Sequence, residues 1–376
     1  MFLRTIESEI QHRISKGKAI ILTGPRQVGK TTLLKKILRD SPYLFLNGDD
    51  PAIRRQLTGI STTQLARLIG NHRYVFIDEA QRIPEIGITM KLITDQFQEV
   101  QLFASGSSSF DIAHQINEPL TGRKWEFQLF PISWEEYEHS IGYLRAIQTL
   151  EERLIFGSYP DVLNHTGNER EILTTLADSY LYRDILSLSS IKRPDALEKL
   201  VRALAFQVGN KISYNELSQL AGIDVKTVIR YVDILCDGFV IFRLGGFSRN
   251  LRNELKTSQK IYFFDNGIRN TLIGNFAPLI NRQDIGALWE NFLMAERFKY
   301  HQYHRTFTNM YFWRTKQGQE VDLVEERDGQ ISGYEFKWSP KRTTKFPKSF
   351  RETYHAETQV IHRDNFGEFV MEGPNG

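Results

Sequence analysis

The chain has 376 residues, 41% of them hydrophobic and 25% charged, the proportions of a folded globular protein with room for two or three domains. A single cysteine, Cys236, excludes a disulfide framework within the chain, and no apolar run reaches the roughly 18 residues of a membrane-spanning helix. A net charge of +3 is too small to mark a nucleic-acid binder, so any such role must rest on local basic patches. The N-terminal stretch MFLRTIESEIQHRISKGK mixes charges and lacks the apolar region of a secretory signal, so a reducing, cytoplasmic setting is expected.

The first third alternates strand-like and helix-like segments, as an α/β domain over residues 1–140 should. AIILTGP, YVFIDEA, VQLFASGS and WEFQLFPIS read as buried strands. After the first comes GPRQVGKT, Gly24 to Thr31, which fits the phosphate-loop spacing GxxxxGK(S/T) and opens the helix TTLLKKILRD. Gly24, Pro25, Gln27, Val28 and Gly29 form a loop whose N–H groups can face phosphates. Lys30 would reach the β- and γ-phosphates of ATP, Thr31 would hold Mg²⁺, and Thr32 continues the helix N-terminus. YVFIDEA ends in Asp78, placed for Mg²⁺ through water, and Glu79, suited to polarise an attacking water.

From about Pro131 to Val208 the pattern turns helical, and residues 141–208 are expected to form a helical lid. ISYNELSQLAGIDVKTVIRYVDILCDGFVIFRL, within 209–276, has the order helix, Gly-containing turn, helix, hairpin. Val225, Ile229, Val232 and Cys236 would face inward on its second helix, Asp224 would cap it, and Lys226 and Arg230 would lie outside, four residues apart. The segment after it is rich in bases: Arg243, Arg249, Arg252, Lys256 and Lys260 against Glu254. In residues 277–376, DIGALWENFLMAERF reads as a helix with Ile285, Trp289, Phe292 and Ala295 on its apolar side. Strands on either side of Asp328-Gly329 form a hairpin. Alternation puts Glu320 and Asp322 on one face of its first strand. In the second it puts Glu335 and Lys337 opposite the core-facing Tyr334, Phe336 and Trp338. A run with Lys341, Arg342, Lys345, Lys348 and Arg351 and no acid follows and suits a phosphate backbone.

These motifs carry resemblances. GPRQVGKTTL, FIDEAQ, SGSSS, LTGR, FPISWEEY, GSYPDV, YLYRDIL and YFFDNGIRN together resemble a group of prokaryotic AAA-type P-loop ATPases. The resemblance implies a polar sensor at Ser107, with Ser105 as the alternative. It also implies an arginine finger at Arg123 serving a neighbouring subunit, and hence a ring, expected to be a hexamer. Residues 209–276 are similar to a winged helix, which contacts DNA in some proteins and protein in others. Asp322 with Glu335-Phe336-Lys337 resembles the D…(D/E)xK core of restriction-endonuclease-like nucleases. That likeness implies Mg²⁺ held by Asp322, Glu335 and, from the preceding helix, Glu290, with Lys337 acting on the attacking water. The expected fold class is α/β: an AAA+ core, a helical lid, a winged helix and a C-terminal α/β nuclease-like domain. The expected function is an ATP-driven machine acting on DNA; the alternative is an ATP-dependent switch or scaffold that binds without cutting.

Overall fold

The computed structural model describes residues 2–107, 119–179, 191–248, 259–341 and 345–371. The chain divides into two compact units, Met1–Pro131 with Asp237–Phe239, and Ile132–Cys236 with Val240–Gly376.

The first unit is a five-stranded sheet of β1 (Ala19–Thr23), β2 (Tyr43–Asn47), β3 (Tyr74–Asp78), β4 (Gln101–Gly106) and β5 (Lys124–Gln128) in the order β2-β3-β4-β1-β5. Every pairing is parallel. Parallel strands are covered on both faces, which is why β1 and β4 are buried along their whole length without alternation. The helices α1 (Ile6–Gln11), α2 (Lys30–Ile37), α3 (Pro51–Leu57), α4 (Thr62–Ile69) and α5 (Ile86–Gln96) supply the cover. Ile21, Leu65, Val75, Ile77, Met90 and Leu102 form one apolar core, each side chain contributing about 1.5–3 kcal/mol by leaving water. The order of strands puts β4 between β1 and β3, so the C-terminal ends of all three open on one edge.

The second unit begins with α6 (Trp134–Ile141), α7 (Tyr143–Gln148), α8 (Leu150–Phe156), α9 (Pro160–Asn164), α10 (Glu169–Ala177) and α11 (Pro194–Phe206). Then come α12 (Tyr214–Ala221), α13 (Val225–Asp237), β6 (Ile241–Gly246), β7 (Gln259–Phe263), α14 (Asn266–Ile273) and α15 (Ile285–His304). The chain closes with β8 (Asn309–Arg314), β9 (Glu320–Arg327), β10 (Gln330–Phe336), α16 (Lys348–Tyr354), β11 (Glu357–Ile361) and α17 (Phe366–Met371). The six strands form one sheet, β11-β10-β9-β8-β6-β7. Asp328 and Gly329 turn the β9–β10 hairpin with φ of 51° and 82°, the positive values of a tight two-residue turn. Among the described residues no helix is long and apolar enough to cross a membrane.

Two expectations change here. The β6–β7 hairpin is not a free wing: Gly245 and Gly246 of β6 pair in parallel with Tyr311 and Phe312 of β8. A boundary at residue 276 would therefore cut one sheet in two. Alternation shows which faces a strand has, not which strand it joins. The inner face of α13 is also rotated from the expected one. Val228, Tyr231, Val232, Ile234 and Leu235 are buried, whereas Ile229 is 38% exposed and Val225 and Cys236 are half-buried. Lys226 and Arg230 are exposed as expected, and Asp224 accepts from Thr227 N at 3.0 Å to cap the helix. YLYRDIL, Arg249, Arg252, Glu254, Lys256, Arg342 and the helix expected before Arg123 lie outside the described residues.

The GSYPDV and YFFDNGIRN motifs form a buried polar hub inside the second unit. Asp265 accepts from Ser158 N at 2.7 Å and Ile268 N at 3.1 Å. Asn270 Nδ2 donates to Ile155 O at 2.7 Å, and Arg269 Nε to Ala205 O at 2.7 Å. A Cβ at Gly157, whose φ is +69°, would lie 2.0 Å from Asp265 Oδ1, so only glycine fits there.

Candidate functional site

The phosphate loop runs from the end of β1 into α2. A Cβ on Gly24 would lie 2.0 Å from Leu129 O, and Gly29 has φ of 96°, so both positions require glycine. Pro25 and Val28 are buried, Gln27 and Thr32 exposed. Lys30 is 5% exposed, and its Nζ donates to Gly24 O at 2.9 Å and Pro25 O at 2.7 Å. Phosphate oxygens are stronger acceptors than these carbonyls.

Thr31 Oγ1 donates to Asp78, whose carboxylate also accepts from Ser105 Oγ on β4. A hydroxyl and a carboxylate this close form an all-oxygen set suited to Mg²⁺ with water completing the shell. Glu79 begins the turn after β3 with φ of 48°, a left-handed backbone rare for a residue with a side chain. Gln81 Nε2 holds its Oε2 at 2.6 Å and donates to Ser107 Oγ at 3.0 Å. Ser107 Oγ itself lies 3.5 Å from Glu79 Oε2. The two serines thus serve different acids, Ser105 the aspartate and Ser107 the glutamate.

Two participants escaped the sequence reading. Gln81 is one; its signal was only its place in FIDEAQ. Arg4 is the other: its guanidinium donates to Val28 O within the loop and to Phe130 O beyond β5, each at 2.7 Å. No local pattern marks a residue that acts across 24 and 126 positions.

Arg123 precedes β5, and its carbonyl accepts from Ala19 N at the start of β1. It therefore sits at the sheet edge opposite the loop, roughly 17 Å away for five strand residues. Its Nε donates to Asp95 Oδ1 at 2.5 Å, and 42% of the side chain is exposed.

In the second unit Glu290, Asp322, Glu335 and Lys337 gather around the sheet. Asp322 Oδ2 accepts from Phe336 N at 2.8 Å. Lys337 Nζ lies 2.8 Å from Glu335 and 3.9 Å from Asp322. Glu290 Oε1 accepts from Tyr262 OH at 2.7 Å and from Lys260 Nζ at 3.2 Å. Lys260, one of the bases of the segment that follows the helix pair, is 2% exposed, and its Nζ also meets Glu320 Oε1 at 2.6 Å. Burial pushes Glu290 up to about 7, with Lys260 opposing the shift and Asp322 adding to it. Asp322 and Glu335 are raised too, chiefly by burial. Burial acts to lower the Lys260 ammonium, but Glu290 and Glu320 outweigh it and hold it above its usual value. Among the described residues no three histidine, cysteine or carboxylate side chains converge closely enough to hold a metal ion as placed. Oxygen donors at Asp322 and Glu335 still fit a hard cation in kind, as a two-carboxylate set completed by water. Tyr334 and Phe336 are buried on the other face against Phe369, and Trp338 packs on Trp289 at 5.2 Å. Lys341, Lys345, Lys348 and Arg351 are exposed.

Residues 16–138 match a family model described as an AAA domain. Residues 147–279 and 285–369 match models of two domains of unknown function, DUF8612 and DUF4143. An uncharacterized protein of Mycobacterium tuberculosis is 27% identical over 343 residues, 89% of this chain and 73% of that protein. One from Methanocaldococcus jannaschii is 22% identical over 320 residues, 78% of this chain and 69% of that protein. A Walker-type ATPase of Pyrococcus abyssi shares the fold with a TM-score of 0.50 at 15% identity, over 72% of this chain and 96% of its own. Together with the strand order and the loop, the match of residues 16–138 to the AAA-domain model and the shared fold support a P-loop ATPase fold for the first unit.

Proposed function

We propose that the protein is an ATP-hydrolysing AAA+ machine that engages and remodels DNA and carries a nuclease-like centre in its second unit. The observation that carries this reading is the meeting of Thr31, Asp78, Ser105 and Glu79 at the open ends of β1, β3 and β4. In it, Lys30 exchanges its loop carbonyls for the β- and γ-phosphates. Thr31 and Asp78 would hold Mg²⁺, which would supply charge stabilisation at the phosphates. Glu79, fixed by Gln81 and Ser107, takes the proton of the attacking water. Ser105 keeps the Asp78 carboxylate aligned. Arg123 is too far from its own loop to act there, so it completes the site of a neighbouring subunit in a ring, which we take to be a hexamer.

DNA is the substrate this reading favours. Exposed Lys341, Lys345, Lys348 and Arg351 form a basic stretch directly after β10, and Lys226 and Arg230 add an exposed pair on α13. Asp322 and Glu335 would hold Mg²⁺, and Lys337 would position the attacking water at a phosphodiester. A second reading, a scaffold that binds DNA without cutting it, is favoured by the pairing of the acids with Lys260 and Lys337. Gel shifts on single strands, duplexes and four-way junctions, followed by Mn²⁺-dependent nicking assays on the DNA bound best, separate the two. Nicking lost in Asp322→Ala with ATPase intact supports a nuclease; binding without nicking supports the scaffold; no binding sinks both.

A further inference from the structure

We propose that the groove between α3 and α4 of the first unit holds the phosphate backbone of DNA, whatever its sequence. The inference rests on the DNA reading above and adds to it a contact surface on the unit that carries the phosphate loop.

The groove is a fixed corner. Leu57 at the end of α3, Ile60 in the connection and Leu65 on α4 are buried and belong to the apolar core of the unit. Thr89 Oγ1 of α5 donates to Leu57 O at 3.0 Å, and Ser61 and Gln64 form a capping box at the start of α4. Gly59 turns the corner with φ of +64°. On the outer side lies an open hollow of about 580 Å³, and Arg55, Gln56, Gly59, Gln64 and Arg67, all exposed, line it.

Its charge has one sign. No aspartate or glutamate occurs between Asp50 and Asp78. Neither Arg55 nor Arg67 meets an acid among the described residues, whereas Arg54 beside them donates to Gly48 O at 2.9 Å and Asp49 O at 3.0 Å. Gln64 Oε1 accepts from Ser61 N at 3.0 Å and Ser61 Oγ at 2.9 Å, which leaves its Nε2 to donate outward. Each arginine also lies in the last turn of its helix, where a cation suits the negative end of the dipole. That effect is worth about 0.3–1 kcal/mol and does not require both guanidinium groups on one hollow. Two unpaired guanidinium groups beside amide donors are complementary to an anion.

The shape selects the kind of anion. A small ligand sits in a concave pocket that buries most of its surface among apolar groups. Here the polar lining is exposed, which suits an extended polyanion that keeps its outer side in water. An acidic peptide would want an apolar anchor point beside the arginines; Ile60 is buried and Leu68 only partly exposed. No aromatic side chain lines the hollow to stack on a base, so the contact is with phosphates and blind to sequence.

The test is fluorescence anisotropy of the full chain on labelled random-sequence DNA, single-stranded and duplex, over a range of salt. On the DNA bound more tightly, Arg55→Gln with Arg67→Gln should weaken binding about tenfold and reduce the slope of log K against log salt by about 1.5, the share of two phosphate contacts. Arg55→Lys with Arg67→Lys should keep most of that slope, since an ammonium still neutralises a phosphate. Removing the same charge at exposed positions elsewhere on the unit, in Arg39→Gln with Lys91→Gln, should leave binding unchanged. A folded glutamine variant that binds like the parent, or a control that loses as much, would overturn the inference. Polyglutamate that displaces DNA from these arginines at equal charge concentration would overturn it in favour of an acidic protein partner. A parent chain that binds neither DNA would sink the DNA reading and the inference with it. Should the double glutamine variant fail to fold, Arg67→Gln alone replaces it, with a slope change of about 0.8.

Discussion

Thr31 Oγ1 lies 3.0 and 2.9 Å from the two carboxylate oxygens of Asp78, joining the first turn of α2 to the end of β3 across 47 residues. Motifs that are separate in sequence become one site because β4 holds β1 and β3 a fixed distance apart. Lys30→Ala should abolish tight nucleotide binding. Glu79→Gln should bind ATP normally while phosphate release falls about 100-fold, the loss of a general base. Turnover of Glu79→Gln at the parent rate would remove Glu79 from its role.

Arg4 should control nucleotide affinity without touching nucleotide. Its hydrogen bond fixes the carbonyl of Val28, and because a peptide is planar and trans, Gly29 N–H is turned the opposite way. Arg4→Ala frees that peptide and should weaken ADP binding about tenfold, or ~1.4 kcal/mol. Arg4→Lys should recover little, since an ammonium lacks the planar fork that spans two carbonyls. Titration with a fluorescent ADP analogue measures both; unchanged affinity in Arg4→Ala would show the contact to be only structural.

Arg123 should act on a neighbour. Arg123→Ala and Lys30→Ala should each lack ATPase activity alone. Mixed, some interfaces would pair an intact Lys30 site with an intact Arg123, and hydrolysis should return in part. No recovery from subunits shown to co-assemble would contradict a shared site.

Glu325 gives a stability prediction. Arg297 binds it through Nε at 2.6 Å and a second nitrogen at 2.7 Å, and His301 Nε2 lies 2.7 Å away. Burial pushes the Glu325 carboxyl up, but Arg297 and His301 outweigh it and hold it down at about 2. A carboxyl depressed in the folded state contributes stability above its unfolded value, near 4.3, and loses it as pH falls toward 2. That contribution is about 3 kcal/mol. Arg297→Met would leave the buried carboxylate with His301 as its remaining partner among the described residues, at a cost of about 3 kcal/mol. Thermal melts of both forms at pH 7 and pH 3 should show the gap narrowing at the lower pH.

The parts of the site carried by short motifs were legible in the sequence. Gly24 to Thr31 and Tyr74 to Asp78 each join a buried strand to a fixed chemical group within a few residues. β2 was not legible: it is an edge strand, only partly buried, with Phe45 37% exposed. Lys260 looked like one more base in a basic stretch, because its partners Glu290 and Glu320 come from elements 30 and 60 residues away. GSYPDV and YFFDNGIRN could be recognised as signatures, but their purpose could not. Asp265 and Ser158 are 107 residues apart and meet only in the folded unit.

The most direct test of the account is phosphate release from ATP by the full chain, with and without DNA. A DNA motor should hydrolyse ATP with Mg²⁺, speed up several-fold with at least one of single-stranded, duplex or four-way-junction DNA, and lose that activity in Glu79→Gln. A rate identical with and without every one of these DNAs would contradict it, and would leave an ATP-dependent switch in its place.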